Sequence, residues 1–352
     1  MQKKVLIITP FYPPNIGGAE TFAEALAEEA CKEADVAVLT FQSFKGEGAE
    51  ISYKNGVAIK RLHWPFKPPE VWKGTTLRNF LLVFPKILKA TYLELKSAER
   101  YFDNGYDVVH AQGLICGLVA ILMKPFFKVK VLMTTLALYN FKERGFGREL
   151  LARVVRYIVK RCDKVFVEGE SGFVDIASCL PSTKHGKIQK FQHWCDLDRF
   201  KPNPNPHKTT NVLFVGRPIP EKGYFFYEEI MQHTKTTVSW KAIHGEPYDK
   251  LIEYYQWADI LVIPSQYEEG IPRVAIEAAA CGCLVLGTNR GALPGLIEGN
   301  IGCCMDTPEK FAKVIDSMQD KDDLTKFQRK SRAYAEKHFS KENAKVMIDE
   351  YN

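Results

Sequence analysis

The run EEGIPRVAIEAAACGCLVLGT, Glu268–Thr288, is the stretch on which the fold turns. Gly270 and Pro272 suit a turn rather than a helix or strand. RVAIEAAA, which follows, is made of small helix formers, and CLVLGT is an apolar run of strand length. With ADILVIPS just upstream, the order is strand, loop, helix, strand, the repeat of a parallel α/β sheet. Two acidic residues interrupt it: Glu269 on the loop at the strand's carboxyl end and Glu277 about one turn into the helix. A buried carboxylate is costly unless hydrogen-bonded, so pairing to ligand hydroxyls accounts for Glu277 better than packing does. The rival account is an exposed glutamate favoured near a helix start by the dipole.

The same alternation extends in both directions. TNVLFVGRPIPEKG is again strand, glycine, loop and helix start, and TTVSWKAIHG is a further strand. The Pro- and Asn-rich KPNPNPHK, Lys201–Lys208, reads as a linker. Before it, KKVLIITPF leads into a loop with Gly17 and Gly18, a helical AETFAEALAEEACKEA and the strand DVAVLT. GYDVVHAQG, VKVLMTT and CDKVFVEG follow as strands separated by helical stretches such as RELLARVVRYIVKR. The expectation is an α/β chain of two Rossmann-like domains facing a cleft: residues 1–200, a linker at 201–208, residues 209–335, and a C-terminal helix at 336–352 crossing back to the first domain. Open sheets of this kind bind ligands at the carboxyl ends of their strands.

Composition narrows the class. A chain of 352 residues with 46% apolar and 26% charged residues suits a folded, water-soluble protein of two cores. Pro10, Pro13 and Pro14 cut short the first apolar run, which makes it a strand and not an export signal. LICGLVAILM, Leu114–Met123, is well below the ~18 residues of a spanning helix. The nine cysteines lack paired C-x-x-C spacing, so Cys281, Cys283, Cys303 and Cys304 read as reduced, small hydrophobes in a reducing compartment, with no metal expected. Charge is uneven: residues 1–201 hold 30 basic and 21 acidic groups (+9), residues 202–352 hold 18 and 21 (−3). Residues 51–100 alone hold ten basic and three acidic groups among Trp64, Phe66, Trp72, Phe80, Phe84 and Tyr92.

Arg217 follows strand VLFVG and Lys222 lies in PEKG at the mouth of the next helix. A planar fork and a point charge could together grip a diphosphate, or be two unrelated cations on a solvated loop. Gly17 and Gly18 could let backbone N–H groups approach a phosphate, or only make a tight turn. His110, ending strand DVVH, is either a cleft-lining acceptor or sugar contact or a packed histidine.

GRPIPEKG with EEGIPRVAIEAAACGCLVLGT resembles the paired signatures of the retaining, nucleotide-sugar-dependent glycosyltransferases of the GT-B fold in the family called GT4. FYPPNIGGAETFAEALAEE is similar to that family's first glycine-rich loop, and CDLDRFKP to its interdomain strand ending, so the likeness covers nearly the whole chain. The resemblance implies catalytic roles for Arg217, Lys222 and Glu269. It implies a donor site of Gly17, Gly18, Gly216, Gly270, Ile271, Pro272, Arg273, Val274 and Glu277. In it Glu269 meets sugar hydroxyls, Glu277 the ribose, and the two cations the diphosphate. No metal or other cofactor is implied, and Asp196-Leu197-Asp198 is read as a loop that only imitates a metal-binding D-x-D. Two departures stand out. Leu136 occupies a position where the family commonly has a histidine, and the segment between Lys222 and Trp240 is short.

The resulting expectation is a cytoplasmic transferase moving a sugar from a nucleotide-diphosphate sugar to a lipid-linked or glycan acceptor. A nucleotide-sugar epimerase of the same fold and a non-catalytic scaffold are its rivals. The run TTLRNFLLVFPKILKATYLELK places Leu77, Leu81, Phe84, Leu88 and Tyr92 near helical spacing beside Arg78, Lys86 and Lys89. It either packs on the first sheet or lies in the headgroups of an anionic membrane. Nucleic acid is not expected, because the basic groups share the segment with apolar runs and no recognition motif appears.

Overall fold

The apolar runs become parallel strands in two sheets, and the order of those strands decides where ligands can bind. The computed structural model describes residues 2–45, 48–66, 77–101, 105–136, 139, 146–203 and 209–352. Residues 1–191 with 344–352 form one unit, and residues 192–343 the other.

The first unit holds β1 (Lys3–Ile8), β2 (Ala34–Phe41), β3 (Ile51–Lys54), β4 (Val57–Leu62), β5 (Val108–Gln112), β6 (Lys130–Thr135), β7 (Lys164–Glu168) and β8 (Ile188–Phe191). Their order is β3-β4-β2-β1-β5-β6-β7-β8, parallel except for the β3–β4 hairpin. That hairpin turns through Asn55 and Gly56, both at positive φ. Asn-Gly is the pair that such a two-residue turn requires, and neither strand is among those expected from the sequence. All five residues of β5 are buried, as a strand covered on both faces demands.

The helix Leu77–Tyr101 packs on this sheet through Val83, Ile87, Leu95 and Ala98, with Phe84 and Leu88 half-buried against the same core. Residues 344–352 close the unit: Glu350 pairs with Lys130 at 3.0 Å and Lys164 at 3.2 Å, and Met347 is fully buried. The tail thus returns to the first unit as expected. It is a mixture of short turns, Lys341–Ala344, Lys345–Ile348 and Asp349–Tyr351, and the long helix Lys321–His338 ends before it. Asn343 donates to the His338 carbonyl at 2.6 Å, so its side chain occupies a helix-end acceptor that further helix would have used.

The second unit holds β9 (Thr210–Val215), β10 (Val238–Ile243), β11 (Ile260–Ile263), β12 (Leu284–Thr288) and β13 (Gly302–Met305), all parallel, in the order β10-β9-β11-β12-β13. The boundary falls at residue 191 rather than 200, because Cys195 and Phe200 are buried in this unit's core. Arg332 ties the segment down, donating to the Phe200 carbonyl at 2.6 Å and the Leu197 carbonyl at 3.1 Å. Residues 204–208, most of the expected linker, lie outside the described residues. Only the single turn Pro220–Lys222 and the helix Tyr224–His233 separate β9 from β10, consistent with the short segment noted above.

In each sheet the chain reverses its direction of growth once. The first unit does so between β1 and β5, and the second between β9 and β11. Loops leaving the carboxyl ends of such a strand pair diverge and leave a crevice between them.

Candidate active site

The residues singled out in the second sheet gather at its switch point. Arg217 and Lys222 lie on the loop after β9, and Glu269 on the loop after β11. Gly216 closes the strand, its N–H donating to the Ile243 carbonyl at 3.0 Å. Pro220–Lys222 then makes a single 3-10 turn that ends at Gly223 with φ 72. A Cβ there would stand 1.8 Å from the Pro264 carbonyl oxygen, so only glycine lets the two loops touch. The Gln266 N–H donates to the Glu221 carbonyl at 2.9 Å and fixes the register.

That contact brings the Lys222 Nζ to 2.7 Å from Glu269 Oε1. Ser265 Oγ donates to the same oxygen at 2.6 Å, and the Tyr267 hydroxyl to Oε2 at 2.7 Å. Glu269 is buried, and burial together with this neighbouring charge pushes the Tyr267 hydroxyl well above its usual range. Lys222 also stands 5.0 Å above the Tyr267 ring. The backbone of Glu269 is pinned by the Ala292 N–H at 2.9 Å, and Gly291 leaves no room for a Cβ against it. Arg217 is exposed. A rigid carboxylate, a half-buried ammonium and an exposed guanidinium at the carboxyl end of one strand pair suit a ligand with both anionic and hydroxyl groups.

Glu277 is only 2% exposed, which excludes the solvated helix-start glutamate. It lies on the helix Arg273–Ala280, where every residue but Val274 is buried. The Tyr255 hydroxyl donates to Oε2 at 2.9 Å, and Arg273 Nε stands 3.4 Å from Oε1. Arg273 is also buried; its Nη2 reaches the Tyr248 hydroxyl at 3.4 Å, while Nε and Nη1 have no hydrogen-bond acceptor among the described residues. Burial alone would weaken its hold on the proton, but Tyr248 and Glu277 outweigh it and raise its pKa. Gly270, Ile271 and Pro272 are half-buried on the loop into this helix, and Ile271 and Val274 pack on the core.

In the first unit the geometry fits the packed reading of His110. It is wholly buried, with Nδ1 at 2.9 Å from the Tyr351 hydroxyl and Nε2 at 2.8 Å from Thr134 Oγ1. Desolvation pushes its pKa down to about 3, so it stays neutral. The returning tail makes the difference, and no local pattern around DVVH announces it. Gly17 and Gly18 open the helix Gly18–Ala30, and Gly17 is extended at φ 169, so strain does not require glycine there. A Cβ on Gly17 would crowd only the flexible Glu20 side chain.

Two residues on from His110, the sequence reading passed over Gln112. It ends β5 at that unit's switch point and is 7% exposed, and neither end of its amide has a partner among the described residues. A polar residue between an apolar strand and a positive-φ glycine, Gly113, was the available signal. Asp196 has a structural role: its carboxylate accepts from the N–H groups of Asp198 and Arg199 at 3.1 and 3.2 Å and from Lys341 Nζ at 2.8 Å.

Comparison with known proteins bears on both units. Residues 197–338 match the family described as glycosyl transferases group 1. The D-inositol 3-phosphate glycosyltransferase of Corynebacterium urealyticum is 24% identical over an alignment covering 95% of this chain and 90% of that protein. Its counterpart in Corynebacterium jeikeium is 24% identical, with 62% of this chain and 65% of that protein covered. Among solved structures, sucrose-phosphate synthase from Thermosynechococcus elongatus has a TM-score of 0.79 at 18% identity, covering 99% of this chain and 98% of that one. Anabaena HepE in complex with UDP-glucose has a TM-score of 0.72 at 13% identity, with 99% and 98% covered. At these identities the structural likeness establishes the fold.

Proposed function

Because the chain is a hexosyltransferase-type glycosyltransferase of GT-B fold, we propose that it moves a sugar from a nucleotide-diphosphate sugar to an acceptor with retention of anomeric configuration. The observation that carries this reading is the Lys222–Glu269 pair, held at 2.7 Å at the second sheet's switch point beside exposed Arg217. Arg217 and Lys222 take the diphosphate, Glu269 the sugar hydroxyls and Glu277 the ribose hydroxyls, with Gly216 and the Gly270–Val274 backbone lining the donor. As the anomeric C–O bond breaks, its electron pair leaves with the diphosphate and the two cations stabilise the growing charge. The acceptor oxygen bonds to the same face of the anomeric carbon and passes its proton to the departing phosphate. The reaction requires neither a protein nucleophile nor a divalent metal. That HepE was solved with UDP-glucose supports a donor of this class. Arg217→Ala and Lys222→Ala should each lower sugar-dependent release of nucleoside diphosphate by roughly 100-fold in a protein that still folds. Near-normal release in both variants overturns the assignment.

The acceptor side rests on the helix Leu77–Tyr101. Its stripe divides: Phe84 and Leu88 pack on the sheet, while Leu81 and Tyr92 face solvent, Leu81 at 60% exposure. Leu82 and Leu93 are exposed with them, beside Lys89 and Lys96. Trp64 and Phe66 are not surface anchors; Trp64 stacks on Phe41 at 4.5 Å, and Phe66 packs against the same core. Trp72 and the side chains of Leu77, Arg78 and Phe80 lie outside the described residues. Among the described residues no helix is long and apolar enough to cross a membrane. Peripheral docking on the cytoplasmic face of an anionic membrane, with a lipid or lipid-linked sugar as acceptor, fits an outward face of leucine, tyrosine and lysine.

A further inference from the structure

We propose that Arg273 is a positioning residue: its charge holds the buried Glu277 carboxylate ionised while leaving Oε1 free to accept a hydroxyl of a bound nucleoside diphosphate. This rests on the reading of Glu277 given above. A carboxylate 2% exposed needs a counter-charge or it takes up a proton.

Among the described residues, the groups around it leave one candidate. The helix Tyr248–Trp257 brings Tyr248 and Tyr255; the segment before β9 brings Cys195, and the helix end brings Cys281. Burial pushes all four up, Cys195 to about 12, so none carries charge near neutral pH. Arg332, on the helix Lys321–His338, is committed to the carbonyls of Leu197, Phe200 and Ala280 and to Glu336. Arg273 remains.

Its geometry suits that task. At 3.4 Å, Nε is within ion-pair range of Oε1 but beyond a good N–H···O bond, so it supplies charge without occupying the lone pairs. Oε2 is already taken by Tyr255. A guanidinium buried with two of its nitrogens unmet among the described residues is not what packing for stability selects.

The test is affinity for the tightest binder among uridine, guanosine, adenosine, cytidine and thymidine diphosphates. It is measured by calorimetry from about pH 7 to about pH 8.5, above the ligand's own phosphate ionisation near 6. Wild type and Arg273→Lys should bind alike within about fivefold and without pH dependence, since both keep the charge. Arg273→Met should bind roughly tenfold more weakly at the lower pH and recover as pH rises, because Glu277 then ionises unaided. Added to Glu277→Gln, Arg273→Met should change affinity less than about twofold. This double variant buries no charge, and it supplies the comparison if Arg273→Met alone does not fold. Binding by Arg273→Met that is weak at every pH, or an equal loss in the Glu277→Gln background, overturns the proposal. Glu277→Gln binding like wild type overturns the ribose reading itself, and this proposal with it.

Discussion

Lys222 and Glu269 are paired at 2.7 Å, yet each carboxylate of the site keeps its own hydroxyl partners. Glu269 keeps Ser265 and Tyr267 when Lys222 is removed, whereas Glu277 has Tyr255 and a long contact with Arg273. The proposed division of labour predicts that Glu277→Gln weakens binding of free nucleoside diphosphate by about tenfold, the scale of one charge-assisted hydrogen bond. Glu269→Gln should spare that binding and damage use of the intact donor. Calorimetry with the diphosphate and initial rates with the sugar nucleotide separate the two, and identical effects contradict the division. His110 supports a different prediction. Below about 6.5 the unfolded chain takes up a proton that the folded protein, with His110 at about 3, refuses, so stability falls as pH drops through that window. The loss is about 1.4 kcal/mol per pH unit, read from urea midpoints, and His110→Gln should flatten it. Both glutamates were legible because acids in an apolar run stand out. Tyr255, the partner of Glu277, was not, since nothing in local spacing says which carboxylate a hydroxyl reaches 22 residues away.

Among the elements, the helix Leu77–Tyr101 shows why a stripe is easier to see than to place. Its spacing was read correctly as helical, but the buried face runs through Val83, Ile87, Leu95 and Ala98, about one position off the Leu81–Phe84–Leu88–Tyr92 stripe. The outward face predicts salt-sensitive co-sedimentation with anionic vesicles at low ionic strength. Leu81→Glu with Leu93→Glu should reduce it severalfold and leave the thermal midpoint nearly unchanged, because both side chains are already exposed. Failure of the wild type to co-sediment would favour a soluble acceptor. The loop Pro220–Gly223 makes the opposite case, an element whose backbone is the function. Gly223→Ala forces a methyl group onto the Pro264 carbonyl at a φ of 72. It should cost more than about 2 kcal/mol in a chemical melt and lower turnover by displacing Lys222. The Asn55-Gly56 hairpin carried its own signal and was missed because the reading there followed charge and aromatics.

For the whole molecule, the alternation of apolar runs carried the doubly wound architecture, and the start of β11, β12 and the intervening helix was legible from Glu268–Thr288 and the strand before it. The return of residues 344–352 to the first unit was expected, but what it does there, covering His110 through Tyr351, depends on a contact 241 residues apart in sequence. Charge is split, +9 in residues 1–201 and −3 in residues 202–352, yet within the acidic second part Arg217 and Lys222 stand on one loop at the carboxyl end of β9. The central claim is that Arg217 and Lys222 at the second sheet's switch point grip the diphosphate of the donor, and thermal denaturation with a panel of nucleoside diphosphates tests it most directly. A diphosphate present at about 100 times its dissociation constant should add about 2.7 kcal/mol of stability and raise the midpoint. Arg217→Ala, whose side chain is exposed, should leave the unliganded midpoint unchanged and remove most of that rise. A wild-type protein whose midpoint moves with none of the nucleoside diphosphates, or an Arg217→Ala variant that responds as the wild type does, would contradict the account.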